Sequence, residues 1–493
     1  MEAPGGVLRN IADQIALHAR HRPSHPAVVQ GETVIDYRSL DRAVRQRAAR
    51  LMDLGIEPAG IVGIALGDTI EHLLMLWAVA RAGAVILPMD CRWSAAEKAR
   101  LVEHFQPACV MVEPGAGFEG TRCIEADSDW AESLSGTSID REFPDGDRGL
   151  VLSLSSGTTG RPKGPLMSHR RFMSRFWTHW VDLGFGSREI YLNATPLYFG
   201  GGRSFSMSTH YVGGTVVLFP PPYQPSALAA EVSRTRASVL FLVPTLLRRL
   251  LASDASELLP FQALKVLISS GSALSAQERP QIRERICANF VEFYSSTEGG
   301  GITVLGADDQ DAHPGSVGRA VFGVNVQVVD GEHQVLPAGA VGRIRYQGAA
   351  VADAFYQDPE ASLEAFHEGW FYPGDLGCLD DEGFLYLKGR AKDMIIRGGI
   401  NIYPQEVEAV LLASDPLVID AAVVGWPSAE FNEEVAAFVV VRGQINPDAL
   451  RQYCAAQLAP YKVPRAIFTV DDLPRNTLGK VVKAELTARL PRL

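Results

Sequence analysis

Apolar and amphipathic segments alternate along most of the chain. Residues 62–66 form a short apolar run that predicts a buried strand, and residues 70–81 carry apolar side chains at helical spacing. A further apolar run, at residues 84–88, follows directly. Strands and helices that alternate in this way indicate a parallel sheet covered by helices. The sequence therefore predicts an α/β fold.

The alternation returns in the middle of the chain and changes character near its end. Further apolar strands are predicted at residues 215–219, 239–244 and 264–269. Residues 316–350 are typical of antiparallel strands and predict a small barrel. A new helix and strand pattern begins near residue 393, over a length sufficient for a small domain. We therefore expect a large N-terminal domain of helix-covered sheets with a small antiparallel barrel, residues 1–392, and a small mobile α+β domain, residues 393–493.

Composition narrows the class of protein. The chain has 493 residues, too many for one hydrophobic core, and 47% of them are hydrophobic, which excludes a disordered chain. Its net charge of −11, without a basic stripe, indicates no nucleic-acid partner. The six cysteines are scattered without metal-ligand spacing, which favours a reducing cytoplasm. We expect no secretory signal and no membrane span, because Arg81 and Gly83 interrupt the apolar run at residues 73–89.

A loop rich in glycine and hydroxyl groups follows the apolar segment at residues 149–152. Its twelve residues, 153–164, read Ser-Leu-Ser-Ser-Gly-Thr-Thr-Gly-Arg-Pro-Lys-Gly. Glycine allows a tight turn and close approach to a ligand, and lysine supplies a charge that suits phosphate. The loop is not a Walker A motif, since Lys163 is followed by Gly164. The candidate phosphate contacts are Ser155, Ser156, Gly157, Thr158, Thr159 and Lys163. The alternative is an ordinary surface loop.

This loop closely resembles the phosphate-loop signature of the acyl-adenylate-forming superfamily. That superfamily contains acyl-CoA synthetases, peptide-synthetase adenylation domains and beetle luciferases. The resemblance implies ATP-dependent activation of a carboxylic acid, and the chain is most like an acid–CoA ligase. Thr158, Lys163, Glu298 and Lys480 are then the expected catalytic residues. ATP and Mg²⁺ are the expected cofactors, and coenzyme A is the expected co-substrate.

Two further motifs resemble nucleotide-binding segments of the family. In residues 269–273, Gly271 and Ser272 would lie against adenine, although a plain strand-to-helix turn is the better explanation of this motif taken alone. In the second motif, after a strand at residues 290–293, Tyr294 would stack on adenine, Thr297 would contact phosphate, and Glu298 would hold Mg²⁺. Ser295 is also expected among the nucleotide-binding residues. The family usually has Gly where Ser295 stands. The alternative is a helix-capping box from Ser295 to Glu298.

Three motifs towards the C-terminus complete the resemblance. Asp375 would accept the ribose hydroxyls, beside a Pro373 where the family commonly has Thr, and Arg390 would donate to ribose. Asp393 falls on the family's hinge. The thiol path would pass Gly398 and Gly399. Lys480 matches the lysine that bridges the carboxylate and the α-phosphate, although a solvated charge is the ordinary interpretation.

The acyl pocket is expected around the turn at residues 195–203. Amino-acid-activating relatives carry an Asp where Gly200 stands here, which argues against amino-acid substrates. Arg203 would either meet a second polar group of the substrate or serve the structure, and the sequence favours neither; His169 is more often a capped helix end than a substrate contact. The expected lining residues are Tyr198, Phe199, Gly200, Arg203, Gly271, Gly299 and Gly300.

Other functions stay open at this point. One alternative is the loading of an acid onto a separate carrier protein, and another is a non-catalytic nucleotide-binding relative. The intact Glu298, Asp375 and Lys480 argue against the second. Luciferase-like oxygenation has no positive support. The small-molecule partners expected are a carboxylic acid, ATP and CoA, and a homodimer is left open.

Overall fold

The computed structural model describes residues 10–134, 146–154, 163–272, 274, 277–428, 430–475 and 481–491. Its helices, in chain order, are α1 (Asp13–His21), α2 (Tyr37–Asp53), α3 (Ile70–Arg81), α4 (Ala95–Phe105), α5 (Ser128–Ser133), α6 (His169–Val181), α7 (Gly200–Val212), α8 (Pro225–Thr235), α9 (Pro244–Leu251), α10 (Ala255–Leu258), α11 (Glu278–Arg285), α12 (Pro359–Ala365), α13 (Pro404–Ser414), α14 (Pro447–Gln457) and α15 (Lys483–Ala488).

The strands form four sheets. In chain order they are β1 (Pro26–Gln30), β2 (Thr33–Asp36), β3 (Ile61–Ala65), β4 (Val85–Pro88), β5 (Cys109–Val112), β6 (Cys123–Glu125), β7 (Gly149–Leu152), β8 (Leu166–Ser168), β9 (Ile190–Asn193), β10 (Thr215–Leu218), β11 (Val239–Leu242), β12 (Val266–Ser269), β13 (Phe290–Ser296), β14 (Gly300–Leu305), β15 (Arg319–Ala320), β16 (Val324–Val329), β17 (Gly342–Gly348), β18 (Phe366–His367), β19 (Trp370–Phe371), β20 (Asp375–Leu379), β21 (Leu385–Arg390), β22 (Ile395–Arg397), β23 (Ile400–Ile402), β24 (Val418–Ser428), β25 (Asn432–Val441) and β26 (Ala466–Val470).

Two mainly parallel sheets form the body of the large N-terminal part. The first has the order β15-β14-β13-β12-β11-β9-β10-β1-β2, and the second β6-β5-β3-β4-β7-β8. Helix α3 is buried along nearly its whole length, and one hydrophobic cluster joins it to residues of both sheets. A helix that is apolar all round belongs in such a core. The α/β prediction is therefore confirmed, and α3 has the bounds that the pattern predicted.

An antiparallel sheet follows in the chain. It begins where the sequence predicted antiparallel strands, and it also takes in β18 to β21. Strand β17 is its centre, since it pairs with β16, β19 and β20. Strand β21 ends at Arg390, and a short 3₁₀ turn, Ala391–Asp393, follows.

The C-terminal part has its own sheet and cores. Strands β24 and β25 form a long antiparallel pair, and β26 lies parallel to β25. Helices α13 and α14 contribute to the hydrophobic cluster on one face, and Leu486 of α15 belongs to a second cluster. This is the small α+β unit that the sequence predicted, beside the large N-terminal domain.

Candidate nucleotide and acyl site

The β13–β14 hairpin carries the centre of the site. Strand β13 continues past Phe293 to Ser296, and residues 297–299 form the turn into β14. Ser296 Oγ closes this turn by accepting hydrogen bonds from the backbone N–H of Glu298 (3.2 Å) and Gly299 (3.0 Å). No helix follows Ser295 in this fully described segment, so the capping-box alternative is wrong. The Ser295 hydroxyl lies 3.2 Å from that of Ser270.

Glu298 is a buried carboxylate on which two cations act electrostatically. Only 8% of the residue is exposed. Burial raises the pKa of its carboxyl above the ordinary value, while the positive charges of Arg175 and Lys163 act in the opposite direction. A buried carboxylate needs a positive partner. The site is therefore suited to additional positive charge at Glu298.

The donor set around Glu298 fits Mg²⁺ better than a metal held by protein alone. Among the described residues, no three His, Cys, Asp or Glu side chains converge on one point. Mg²⁺ commonly takes one or two carboxylates and completes its shell with phosphate oxygens and water. A single buried glutamate is compatible with that mode of binding.

Asp375 and Arg390 face each other across adjacent strands. They are the first residue of β20 and the last of β21, and the register pairs them. Arg390 Nε lies 2.8 Å from Asp375 Oδ1, and the Tyr294 hydroxyl donates to Asp375 Oδ2 over 2.5 Å. Burial, then the Asp375 charge, raises the pKa of Tyr294 well above its ordinary value. Three residues that the sequence assigned to adenine and ribose thus meet in one cluster.

The predicted phosphate loop lies between the antiparallel strands β7 and β8 in the chain. Ser153 N donates to Pro165 O over 3.1 Å at the base of this connection. Lys163 Nζ lies 4.9 Å from the centre of the Phe355 ring and acts electrostatically on Glu298. Ser155, Ser156, Gly157, Thr158 and Thr159 lie outside the described residues, as does Lys480.

The expected acyl pocket surrounds the start of α7. Phe199 is the N-cap residue, and a side chain at Gly200 would meet no atom within 4 Å. A side chain at the next residue, Gly201, would collide with the Phe241 ring. At the start of α7, open space is therefore found beside Gly200 and not beside Gly201. Gly271 has φ +103° and open space around it; it is exposed, and so is Ser272.

The glycines of the β13–β14 turn lie against side chains. A Cβ at Gly299 would collide with Tyr346, and one at Gly300 would come within 3.0 Å of Arg175 Cγ. Gly300 also has φ +77°, a conformation that favours glycine. These two glycines therefore lie directly against the Tyr346 and Arg175 side chains.

Two protein-family models match the chain and identify its family. The model of the family described as AMP-binding enzyme matches residues 15–356, and the model of the AMP-binding enzyme C-terminal domain matches residues 406–480. The chain belongs to the AMP-binding enzyme family. It is an AMP-forming acid–thiol ligase, as the predominance of CoA ligases among its relatives supports.

Relatives of this AMP-binding enzyme match it over nearly its full length. It is 30% identical to an indoleacetate–CoA ligase of Aromatoleum aromaticum, with 98% of both chains covered. It is 28% identical to a 2-succinylbenzoate–CoA ligase of Bacillus cytotoxicus, with 94% of this chain and 95% of the relative covered. A fatty acid–[acyl-carrier-protein] ligase, ScoC of Streptomyces coeruleorubidus, is 29% identical, with 98% of this chain and 96% of the relative covered.

Solved structures confirm the fold of the AMP-binding enzyme. ATP-bound MatB from Rhodopseudomonas palustris superposes with a TM-score of 0.89 at 30% identity, over 97% of this chain and 98% of that one. A Bacillus subtilis o-succinylbenzoate CoA synthetase with ATP and magnesium gives 0.87 at 25% identity, over 96% and 98%. In the described part of the chain, no helix is long and apolar enough to cross a membrane.

The sequence missed two residues that hold the centre of the enzyme's site. Arg175 of α6 is 7% exposed, and its Nη2 donates to Thr297 O over 2.7 Å. Tyr346 of β17 is fully buried, and its hydroxyl hydrogen-bonds Ser296 Oγ. An arginine on an amphipathic helix is usually solvated, so no local signal marked Arg175.

A second group that the sequence missed supports the acyl-pocket turn. Asp68 Oδ1 accepts a hydrogen bond from Leu197 N over 2.5 Å. Arg92 binds both carboxylate oxygens of Asp90, and its Nη2 donates to the Tyr198 hydroxyl over 2.5 Å. Asp68 and Asp90 follow β3 and β4, the neighbouring parallel strands of the second sheet. The carboxyl ends of parallel strands are a common place for ligand sites.

The remaining predicted positions lie as follows. Arg203 is buried, and its Nη1 donates to Tyr198 O over 2.9 Å. His169 is also buried, and its Nδ1 accepts from Ile11 N over 3.3 Å. Asp393 ends the 3₁₀ turn after β21. Gly398 and Gly399 form the exposed turn between β22 and β23, with φ values of +57° and +82°.

Proposed function

We propose that the chain activates a carboxylic acid with ATP and transfers the acyl group to the thiol of CoA. A carboxylate oxygen attacks the α-phosphorus, the bond to the β-phosphate breaks, and pyrophosphate leaves. The thiolate sulfur then attacks the acyl carbon of the adenylate, the bond to the phosphate oxygen breaks, and AMP leaves. The observation that carries the proposal is the contact cluster of Tyr294, Asp375 and Arg390 in a chain of the AMP-binding family. The buried Glu298 lies in the turn that follows the strand of Tyr294.

The nucleotide roles follow from the cluster. The Asp375 carboxylate has two acceptor oxygens for the two ribose hydroxyls, and Arg390 and Tyr294 already orient it. The ring of Tyr294 would face the base, near Gly271 and Ser272. When bound at Glu298, Mg²⁺ would neutralise charge on the phosphate oxygens. Lys163, Thr158 and the other phosphate-loop residues would hold the phosphates, with Ser295 and Thr297 beside them.

The C-terminal domain would contribute residues to both steps of the reaction. We propose the boundary between residues 392 and 393, with Asp393 as the hinge. Lys480 would reach the α-phosphate in one arrangement of the domains, and Gly398 and Gly399 would line the thiol path in the other. Hinges of this kind need only a few residues at the end of an element, which is where Asp393 lies.

The acid would occupy the region around Tyr198, Phe199 and Gly200. Open space at Gly200 leaves room for a chain or ring, and no carboxylate stands at that position for an ammonium group. Relatives are named for 2-succinylbenzoate, indoleacetate, ferulate and fatty acids, all of which lack an α-amino group. We therefore propose a carboxylic acid other than an α-amino acid.

For the acceptor of the acyl group, one alternative to CoA has specific support. The carrier-protein ligase among the relatives supports the alternative that the acyl group goes to a separate carrier protein. A panel of acids assayed with ATP and either CoA or hydroxylamine, with AMP release as the readout, tests both. Turnover with CoA supports the proposal. Turnover with hydroxylamine but not with CoA favours the carrier-protein alternative, and no AMP release with any acid contradicts both.

A further inference from the structure

Two buried arginines lie close together where α6 and α7 pack. Arg175 is 7% exposed and Arg203 is 3% exposed. Arg203 Nη1 donates to the backbone oxygens of Tyr198 (2.9 Å) and Leu197 (3.4 Å). The Nε atoms of both arginines are buried and have no hydrogen-bond partner within the described residues. Both guanidinium groups are therefore only partly satisfied by the protein.

Arg175 and Arg203 differ in whether an anionic group lies near them. Arg175 has the Glu298 carboxylate as an anionic neighbour. Across the described ranges, no carboxylate forms an ion pair with Arg203, and the nearest charge acting on it is the positive charge of Arg175. Burial, and then Arg175, lowers the pKa of Arg203 to about 9, so the group is still charged at neutral pH. An unpaired buried charge is strongly unfavourable.

The position of Arg203 relates this charge to the acyl pocket. Gly200, with its open side, is three residues earlier on α7, and residues three apart share a helix face. Ser206 lies another three residues along, and its buried hydroxyl also has no partner in the described structure. The backbone oxygens that Arg203 binds belong to Leu197 and Tyr198 of the pocket turn. Open space at Gly200, the Arg203 cation and the Ser206 hydroxyl thus follow one another at three-residue spacing along α7.

We propose that the acid activated by this enzyme carries a second carboxylate and that Arg203 binds it, with the Ser206 hydroxyl beside it. This inference rests on the proposed function and adds the substrate class. A guanidinium group presents parallel N–H donors that match the two oxygens of a carboxylate. The distal carboxylate supplies the counter-charge that Arg203 lacks, while the other carboxylate is free to attack ATP.

Matched pairs of acids test the inference. Heptanedioate is compared with heptanoate, and terephthalate with 4-methylbenzoate, by pyrophosphate release. One of the two pairs will contain the acid with the highest kcat/KM. Within that pair, we expect the wild-type protein to favour the diacid over the monoacid by at least about tenfold in kcat/KM. Arg203→Met should lower kcat/KM for that diacid by roughly 10²-fold, the usual loss when one partner of a buried charge pair is removed. Because Arg203 also holds the pocket turn through Leu197 O and Tyr198 O, the matched monoacid should lose activity too, but at least about tenfold less than the diacid.

Two further variants serve as controls. Arg203→Lys retains the positive charge but lacks the paired N–H donors of a guanidinium group. It should therefore keep part of the diacid activity that Arg203→Met loses. Arg249→Met changes an exposed arginine of α9 and should leave both acids unaffected. If Arg203→Met does not fold, three other measurements test the inference. They are the wild-type preference between diacid and monoacid, the activity of Arg203→Lys, and a rise in melting temperature caused by the diacid but not by the monoacid.

Two outcomes overturn the inference. One is a wild-type preference for the monoacid in both pairs. The other is an equal loss for both members of a pair in Arg203→Met, which would place Arg203 on the carboxylate that is activated or in a purely structural role. An absence of pyrophosphate release with every acid tried would contradict the proposed function itself, which is a distinguishable failure.

Discussion

Asp68 offers a quantitative test of how the acyl-pocket turn is held. Its carboxylate is largely buried and accepts the hydrogen bond from Leu197 N, two residues before Phe199. Burial raises its pKa from 3.8 to about 6, although the Leu197 hydrogen bond and the Arg92 charge act in the opposite direction. A raised carboxyl pKa means that the ionised form is less stable in the folded protein than in the unfolded chain.

The substitution Asp68→Asn converts this shift into a change in stability. Asparagine retains an oxygen that can accept from Leu197 N but cannot ionise. A shift of about two units corresponds to about 3 kcal/mol at pH 7.5, where Asp68 is ionised in both states, and to about 1 kcal/mol at pH 4.5. The penalty is absent below the unfolded pKa of 3.8 and complete above the folded pKa of about 6. Asp68→Asn should therefore stabilise the protein at pH 7.5 by up to about 3 kcal/mol, a figure that already includes the opposing attraction of Arg92.

The assay is urea denaturation of both proteins at the two pH values. Because a chain of this length need not unfold in one step, the transition of the large domain should be followed by tryptophan fluorescence. Asp90→Asn is a useful comparison, since the pKa of Asp90 is lowered and its loss should destabilise at pH 7.5. If Asp68→Asn destabilises the protein equally at both pH values, the buried carboxylate is a net stabilising group and the reasoning is wrong.

Three further predictions concern the proposed chemistry. Glu298→Gln should lower adenylate formation while the melting temperature changes by no more than a few degrees; a variant that fails to fold would show a structural role. Lys480→Ala should cut adenylate formation by at least about 10²-fold and nearly spare thioester formation from pre-made acyl-AMP, whereas Asp393→Pro should do the reverse in single-turnover kinetics. Equal damage to both steps in both variants would exclude a rotation at residue 393. Finally, pyrophosphate exchange should detect no activity with free α-amino acids, and an α-amino acid as the best substrate would refute the role given to Gly200.

The sequence predicted those parts of the fold in which local pattern and tertiary environment agree. Helix α3 was predicted with its observed bounds because it is apolar all round and lies in the core. Strand β13 was expected to end at Phe293, yet it continues to Ser296, because Ser295 and Ser296 pair with Gly301 and Gly300 of β14. That pairing depends on a neighbouring strand, so the residues themselves gave no sign of it.

Contiguous motifs were enough to propose residues of the candidate site, but side chains that distant elements bring together gave no signal in the sequence. Asp375 and Arg390 were found by their motifs, and the structure pairs them across two strands. Arg175, Tyr346 and Asp68 each come from a different element, and their residue types are ordinary on exposed surfaces. Only the folded arrangement brings them to the pocket turn and the β13–β14 hairpin.

The separation of the hydrophobic cores has a consequence for how the polypeptide can be divided. Both buried clusters of the C-terminal part contain only residues from Ile395 onward, and the link back to the large sheets runs through the exposed Ala391 and Lys392. Hydrogen bonds tie the preceding segment to the large part, since Ala391 N donates to Gly374 O over 2.9 Å. A chain cut after Lys392 would leave each described cluster whole. The two pieces could then be produced as separate polypeptides and recombined, with one piece isotopically labelled.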